Sequence, residues 1–203
     1  MYELQALNLE YIRNDQLLFT QLNFTLAPGN LLHIVGQNGS GKSTLLNILL
    51  GFLIPTEGEM RWQNHPISTQ LHHYQAQLAY VGHKLGVKSG LTVAENVRLQ
   101  AMLSGVDSLN WDEILSYFSL ESLENRFCEH LSAGQQQRVA LTRLLIQSAP
   151  IWILDEPFSA LDEYHRQKLQ ALIALHVQRK GMVILTSHQP LVWTSLQPMM
   201  LQL

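Results

Sequence analysis

The chain has 203 residues, of which 14% are charged, and a formal net charge of −3. This length suits one domain, or one domain with a subdomain, and the slightly acidic balance gives no basic surface for nucleic acid. The single cysteine, Cys128, excludes an internal disulfide and any cysteine-based metal cluster. The charged share lies below the usual quarter, which suits either a subunit that buries surface against partners or a compact enzyme.

One segment has to be weighed as a membrane span. Residues 181–203 contain no Asp, Glu, Lys or Arg, and a bilayer takes about 20 residues to cross. The segment nevertheless holds His188, two prolines and several hydroxyls, and its two apolar runs, Met182–Leu185 and Met199–Leu203, fit buried strands better. The N-terminus has no basic run followed by an apolar block, so we predict neither a signal peptide nor a membrane span.

Turn residues and hydrophobic periodicity predict an alternation of strands and helices. In the first part of the chain the predicted elements are strands over 2–9, 17–26 and 31–35, a helix over 43–50 that Gly51 ends, and strands over 59–63 and 77–81. A turn at Arg13-Asn14-Asp15 separates the first two strands, and Pro28-Gly29-Asn30 precedes the third.

Residues 91–148 show a different pattern, which is almost entirely helical. Thr92 starts this stretch as an N-cap, and Glu95 three positions later completes a capping-box pattern. The remaining predicted elements are a strand over 151–154, a helix over 162–179 and a strand over 182–186.

Strands that alternate with helices imply an α/β fold with a mostly parallel sheet. We expect a single domain over 1–203, in which a core of about 1–82 and 149–203 carries an inserted helical subdomain of about 83–148. The helix over 162–179 bears a stripe at helical spacing, which we interpret as core. The stripe consists of Leu161, His165, Leu169, Leu172, Ile173 and His176.

A glycine-rich loop follows the strand over 31–35 and leads into the helix over 43–50. It fits the P-loop pattern G-x-x-x-x-G-K-S and consists of Gly36, Gln37, Asn38, Gly39, Ser40, Gly41, Lys42, Ser43 and Thr44. Such a loop turns several backbone N–H groups towards one anion, and the positive end of the following helix points at the same place. Lys42 is predicted to contact the β- and γ-phosphates of a nucleotide, and Ser43 to offer its hydroxyl to Mg²⁺.

Two carboxylates, Asp155 and Glu156, end the apolar strand over 151–154. Ligands of an open parallel sheet bind at the carboxyl ends of its strands, so Asp155 would lie beside the P-loop and help to hold Mg²⁺ through water. Glu156 would polarise the attacking water in phosphoryl transfer, which needs positioning and charge neutralisation. Without a P-loop, a solvated acidic turn would be the simpler interpretation.

A second helix start, at Leu131-Ser132-Ala133-Gly134-Gln135, has the pattern of another anion site. Ser132 is a predicted N-cap, and Gln135 stands at the third position of a helix that runs from Ala133 towards Gln147. By itself this pattern is most simply an ordinary capping box. A single nucleotide rarely needs two such helices from distant parts of one chain, so the helix is predicted to face a nucleotide held elsewhere.

These motifs, followed by Ser159-Ala160-Leu161-Asp162 and Thr186-Ser187-His188, resemble the ATP-binding cassette of ABC transporters. The resemblance covers essentially the whole chain. It implies a RecA-like P-loop NTPase core with a mostly parallel sheet, an N-terminal antiparallel β subdomain and an inserted helical subdomain. It also implies an ATPase that uses ATP and Mg²⁺, with Lys42, Glu156 and His188 as catalytic residues.

The same resemblance implies a homodimer in which two cassettes stack head to tail. Each ATP would lie between the P-loop of one copy and the signature, Leu131 to Gln135, of the other, with Asp162 across the seam. His188 would contact the γ-phosphate. Tyr11 occupies the region where the family stacks an aromatic ring on adenine, and a surface or core tyrosine is an equal alternative.

Two positions depart from the family pattern. Ala133 replaces the first glycine of the signature, which is a mild change in a helical conformation. His83 stands where the family places a glutamine that meets Mg²⁺ or water and senses the transmembrane partner. A histidine there can still form one hydrogen bond, so His83 is a candidate coupling residue.

The segment around His83 resembles a narrower family, the CcmA-type haem exporter cassettes of bacterial cytochrome c maturation. The segments that carry this likeness are Gly82–Lys88, Leu91–Asn96, Leu131–Arg138, Trp152–Phe158 and Val183–Pro190. The resemblance implies integral membrane partners of the CcmB and CcmC type and a peripheral place on the cytoplasmic face of the bacterial inner membrane. It also implies haem delivery or release at a periplasmic haem chaperone.

Three other assignments stay open. The chain could be the ATPase subunit of another small-molecule ABC exporter or importer. A soluble ABC protein acting on ribosomes or DNA usually has two cassettes or long inserts and a basic surface, and a P-loop kinase or GTPase would leave Asp162 and His188 unexplained. A haem-ligand role for the 9 histidines is not favoured, because no Cys-x-x-Cys-His is present and the adjacent His72 and His73 would point to opposite faces of a strand.

Overall fold

Two β-sheets organise the chain in the computed structural model, which describes residues 2–188 and 191–203. The strands are β1 (Leu4–Arg13), β2 (Gln16–Leu26), β3 (Leu31–Val35), β4 (Glu57–Trp62), β5 (His65–Pro66), β6 (Leu78–Val81), β7 (Ile151–Leu154), β8 (Met182–Ser187) and β9 (Met199–Gln202). The helices are α1 (Lys42–Leu49), α2 (Leu71–Gln75), α3 (Val93–Leu103), α4 (Trp111–Tyr117), α5 (Ala133–Leu141), α6 (Arg143–Ile146) and α7 (Glu163–Gln178). Short 3₁₀ turns lie at Ile67–Thr69, Glu121–Leu123 and Cys128–His130.

The N-terminal part forms an antiparallel sheet with the strand order β2-β1-β4-β5. In the turn between β1 and β2, Asn14 and Asp15 have φ values of 49° and 62°, the conformation that two-residue hairpin turns favour. The predicted turn is therefore confirmed. The strand predicted over 2–9 continues to Arg13, because β1 pairs with β2 up to the tip of the hairpin.

The second sheet is parallel, with the strand order β6-β7-β8-β3-β9. Every residue of β3, β7 and β8 is buried, as expected of a parallel sheet that is covered on both faces. Ile34 and Ile153 pack with α1 and the antiparallel sheet on one face. Leu154 and Leu185 pack with α3, α5 and α7 on the other. The predicted α/β fold is confirmed.

The register of the parallel sheet places the predicted site motifs at one edge of the sheet. Val81 of β6 pairs with Leu154 of β7, and Val35 of β3 pairs with Ser187 of β8. All four strands therefore end close together. The loops that follow them carry the P-loop, the acidic pair and the two histidines named for the site, which places the site where ligands of open α/β sheets bind.

The stretch predicted as helix over 91–148 is only partly helical. Gly105, with a φ of 66°, follows α3, and Ser119, with a φ of 52°, follows α4. These left-handed conformations end both helices. Thr142 divides the helix predicted from Ala133 towards Gln147 into α5 and α6. The division of the chain into a core and an inserted helical subdomain stays a prediction.

Two further expectations about burial and structure need correction. The C-terminal apolar run forms β9, but Met199 and Met200 are 39% and 52% exposed, because β9 is an edge strand that pairs only with β3. His72 and His73, considered as strand residues, lie in the helix α2. On α7 the predicted stripe is buried except for His176, which is half-buried.

In the two stretches that the structure describes, no helix is both long and apolar enough to cross a membrane. The segment weighed as a span, 181–203, instead contains the strands β8 and β9. Gln189 and Pro190, the last residues of one segment with CcmA-type likeness, lie outside the described residues.

Candidate active site

The P-loop lies between the carboxyl end of β3 and the start of α1. Gly39 and Gly41 have φ values of 84° and 100°, in the left-handed region that glycine adopts at no steric cost. A side chain at Gly36 would collide with Ser40 and with the carbonyl of Leu203. The glycines thus allow the tight loop, and the free N–H groups at the start of α1 form an anion-binding helix terminus.

Lys42, the first residue of α1, is 7% exposed and folds back over the loop. Its ammonium donates to the carbonyl oxygens of Gly36 at 2.6 Å and Gln37 at 3.0 Å, which satisfies a buried charge. Charged phosphate oxygens are stronger acceptors than neutral carbonyls. Lys42 is therefore held at the place where a phosphate group could take over these hydrogen bonds.

One hydroxyl joins the acidic pair to the neighbouring strand. Thr186 on β8 is fully buried, donates to Asp155 Oδ1 at 2.7 Å and accepts from the backbone N–H of Glu156 at 3.0 Å. Glu156 has a φ of 51°, which is uncommon for a residue other than glycine. Thr186 therefore stabilises the turn by which the chain leaves β7 and fixes the direction of the Asp155 carboxylate.

Glu156 and His188 approach each other over this edge of the sheet. His188 Nε2 lies 3.6 Å from Glu156 Oε1, and that oxygen has no hydrogen-bond partner among the described residues. Burial raises the pKa of Glu156, and the charges of His188 and Lys42 partly oppose the shift. A carboxylate with a free oxygen and a raised pKa is suited to accept a proton from an attacking water.

Most predicted site residues of this edge line one cleft of about 630 Å³, a size typical of small-molecule sites, whereas Gly36, Gln37 and Ser40 of the P-loop do not line it. Those that line it are Asn38, Gly39, Gly41, Lys42, Ser43, Thr44, His83, Asp155, Glu156 and His188. Three side chains of the β1–β2 hairpin tip, Arg13, Asn14 and Gln16, line it as well. Sequence reasoning missed these three, although Arg13 and Asn14 lie in the turn that the sequence predicted and Gln16 follows it.

Tyr11 is not one of the residues that line this cleft. Its ring packs instead towards Phe19 of β2, with the ring centroids 6.3 Å apart. The proposed stacking of Tyr11 on adenine stays a prediction.

Ser43 and Asp155 are the oxygen donors of this cleft that suit a magnesium ion. Both line the cleft, and Asp155 uses Oδ1 to accept the Thr186 hydrogen bond. In the described part of the chain, no group of three or more His, Cys, Asp or Glu side chains is placed to hold a metal. Mg²⁺ keeps several waters and binds one or two carboxylates together with substrate phosphates, so this donor set fits it.

The signature lies on another face of the molecule. It borders a second depression of about 410 Å³. The lining residues are Ser132, Ala133, Gly134, Gln135, Arg138, Ala160, Leu161, Asp162 and His165. None of them lines the P-loop cleft. Within one chain, the structure brings the signature to Asp162 but not to Lys42 or Glu156.

The start of α5 is the capping box that the sequence predicted. The N–H of Gln135 donates to Ser132 Oγ at 3.3 Å, and the N–H of Ser132 donates to Gln135 Oε1 at 2.9 Å. The capping box at Thr92 and Glu95 is likewise present at α3. Both helix starts were predictable because the contacts are local in sequence.

Steric contacts explain where the signature tolerates an alanine. A side chain at Gly134 would collide with the carbonyl oxygen of Ala160. Ala133 is exposed, so its methyl group meets no such obstacle. The departure from the family pattern therefore falls on the position where a side chain can be accommodated.

Comparison with known proteins identifies the family. The sequence profile of ABC transporters matches residues 19–159, a range that contains the P-loop, the signature and the acidic pair. The chain belongs to the ABC transporter family. This membership confirms the P-loop cassette fold and the ATPase class that the sequence predicted.

Relatives and solved structures agree with the family. The cytochrome c biogenesis ATP-binding export protein CcmA of Methylococcus capsulatus is 43% identical over 188 residues, or 92% of this chain and 91% of that protein. An ABC transporter ATP-binding protein of Pyrococcus furiosus has a TM-score of 0.81, with 28% identity, and covers 96% of this chain and 95% of its own. A dimeric ATP-binding cassette in a post-hydrolysis state, bound to ADP and Pi, has a TM-score of 0.78 with 28% identity over 92% of this chain and 88% of its own.

The Thr186 hydroxyl provides the first test of the site. Thr186→Val keeps the shape of the side chain but leaves Asp155 Oδ1 and the N–H of Glu156 without their partner. We expect the kcat for ATP hydrolysis to fall about 100-fold, the order of loss that follows from misplaced catalytic groups, with little change in ATP affinity. Steady-state kinetics and nucleotide binding measure the two effects.

Thr186→Ser is the matched control, because it keeps the hydroxyl and removes only a methyl group. It should retain most of the activity. Equal activity of the Val and Ser variants would contradict the role of the hydroxyl.

Proposed function

We propose that the chain is the ATP-hydrolysing subunit of an ABC transporter complex that serves cytochrome c biogenesis. The observation that carries the cassette mechanism is that the P-loop cleft and the signature depression, each at a helix N-terminus, share no lining residue. The identity to CcmA proteins over most of both chains supports the cytochrome c assignment.

In the P-loop cleft each group has a proposed role in phosphoryl transfer. The loop and Lys42 hold the phosphates of ATP, while Ser43 and Asp155 hold Mg²⁺, the latter through water. Glu156 polarises the attacking water, and His188 contacts the γ-phosphate. The 3.6 Å approach of His188 to Glu156 supports the placement of both groups around one reacting centre.

The signature depression supplies the other half of the site from a second copy. Two chains stack head to tail, so that Ser132 and Gly134 of one copy face the ATP bound to the P-loop of the other. The capped start of α5 supports this role, because a helix N-terminus attracts phosphate. The dimeric cassette with a TM-score of 0.78 to this chain supports the same arrangement.

The complex as a whole is proposed from the CcmA relatives. Integral membrane subunits of the CcmB and CcmC type would bind this chain at the cytoplasmic face of the bacterial inner membrane, through the region of about 83–148. Hydrolysis would drive haem delivery or release at a periplasmic haem chaperone. His83 lies exposed on the lining of the ATP cleft, so it can transmit the state of the nucleotide to a partner. The alternative is a subunit of another small-molecule ABC exporter or importer.

The paired mechanism is tested by Glu156→Gln. The amide cannot take a proton from water, so the variant should bind ATP, hydrolyse it slowly and accumulate as a dimer. Light scattering with and without ATP measures the mass. Lys42→Ala, which removes the phosphate contact, is the control and should stay monomeric. A monomeric Glu156→Gln chain saturated with ATP would contradict the paired site.

The transporter assignment is tested by affinity purification from detergent-solubilised membranes of the source bacterium. We expect integral membrane subunits of the cytochrome c maturation system to co-purify, and haem analysis of the eluate identifies the cargo. Recovery of membrane subunits from a different exporter or importer would favour the alternative. Recovery of soluble proteins alone would contradict a transporter role.

A further inference from the structure

The signature depression contains a chain of three hydrogen-bonded polar side chains, and its central residue, His165, belongs to none of the family motifs. Arg138 Nη1 lies 3.3 Å from His165 Nε2, and His165 Nδ1 lies 2.7 Å from Asp162 Oδ1. His165 is 8% exposed, in agreement with the core position that its helical spacing predicted. Its two ring nitrogens connect α5 to the start of α7.

The partners of His165 define its hydrogen-bonding state. An ionised carboxylate only accepts hydrogen bonds, so Nδ1 must carry a proton and donate it to Asp162. Nε2 lies 3.3 Å from Arg138 Nη1 and 3.4 Å from Ser119 Oγ. The geometry therefore makes Nδ1 the donor that holds the Asp162 carboxylate.

The same three residues tie together the two motifs on this face. Arg138 belongs to the signature helix α5 and also donates to the carbonyl oxygens of Phe118 at 2.7 Å and Ser119 at 2.8 Å. Asp162 Oδ1 additionally accepts the N–H of His165 at 2.9 Å, which caps α7. The signature helix and the Asp162 carboxylate are thus held in one arrangement.

Asp162 combines this fixed position with access to a partner. Its side chain is 67% exposed and lines the depression beside Ser132 and Gly134. The hydrogen bonds from His165, first its backbone N–H and then its ring, hold the pKa of Asp162 below the ordinary value. The carboxylate therefore stays ionised and keeps Oδ2 available to another chain.

We propose that His165 is a positioning residue that holds Asp162 in the orientation needed to engage the second copy of this chain around ATP. The inference rests on the proposed paired mechanism and deepens it. His165 does not touch the nucleotide. It sets the direction of Asp162 and couples that direction, through Arg138, to the position of the signature helix.

The hydrogen-bonding state can be tested in the monomer, independently of dimerisation. ¹⁵N NMR of histidine-labelled protein should show a ring with a proton on Nδ1, whose signals vanish in the His165→Asn variant. A His165 ring that carries its proton only on Nε2 would overturn the proposal.

The functional test uses Glu156→Gln as the parent, with His165→Ala, His165→Asn and Gln167→Ala added separately. Removing a hydrogen bond to a charged group typically costs enough for about a tenfold change in an equilibrium. We therefore expect His165→Ala to need about tenfold more ATP to form the dimer seen by light scattering, with an unchanged ATP affinity of the monomer. His165→Asn should restore dimerisation, because its amide nitrogen can donate from the position of Nδ1.

Gln167→Ala is the matched control, since this residue lies on the exposed side of the same helix and bonds only to Glu163. It should leave dimerisation unchanged. Dimerisation of His165→Ala at the parent's ATP concentration would overturn the positioning role. If His165→Asn fails to restore the dimerisation lost in His165→Ala, the positioning role would be overturned as well. The effect of His165 would then come from its packing. Failure of the Glu156→Gln parent to dimerise would instead count against the paired mechanism. The NMR result would still show whether His165 donates a hydrogen bond to Asp162.

Discussion

The parallel register of β6, β7, β8 and β3 is the constraint on which the rest of the molecule depends. It brings the ends of four strands to one edge, although the motifs that follow them are far apart in sequence. The buried Thr186 hydroxyl depends on this register, because only the observed pairing lets it bond to both Asp155 and Glu156 at the end of β7. A slip of one residue in this pairing would turn the hydroxyl to the other face of the sheet and leave the acidic pair without its support.

The second face of the molecule is the structural basis of the proposed paired ATP site. The signature and Asp162 share a depression that contains neither the P-loop nor the acidic pair. Gly134 packs so closely on Ala160 that a side chain has no room there, which keeps the signature helix against the loop that leads to Asp162. The chain thus has two separate faces, each prearranged by its own contacts.

The sequence predicted the features that depend on neighbouring residues. The P-loop, the hairpin turn at Asn14 and Asp15, and both capping boxes involve contacts within a few positions, so their patterns are visible in the sequence. The strand ending in Asp155 and Glu156 was predictable for the same reason.

Features that depend on distant contacts were not predictable. The role of Thr186 requires the pairing of β7 with β8, and the role of His165 requires α5 to pack beside α7. Sequence periodicity indicated only that His165 is buried. The helical content predicted over 91–148 was too high. One reason is that the left-handed conformation of Ser119 leaves no clear signal, since serine is not a typical helix terminator. The position of Tyr11 relative to the cleft likewise depends on how the β1–β2 hairpin packs beside the P-loop.

The central claim, that two copies complete each ATP site, is tested most directly by cross-linking between the two faces. Asn38 in the P-loop and Ala133 in the signature are both exposed, while the single native cysteine, Cys128, is buried and can be replaced by serine. In the Glu156→Gln background, an Asn38→Cys chain mixed with an Ala133→Cys chain should form a disulfide-linked pair when ATP is added together with a mild oxidant that accepts the two electrons, such as a copper–phenanthroline complex. Absence of this linked pair at saturating ATP would contradict the account.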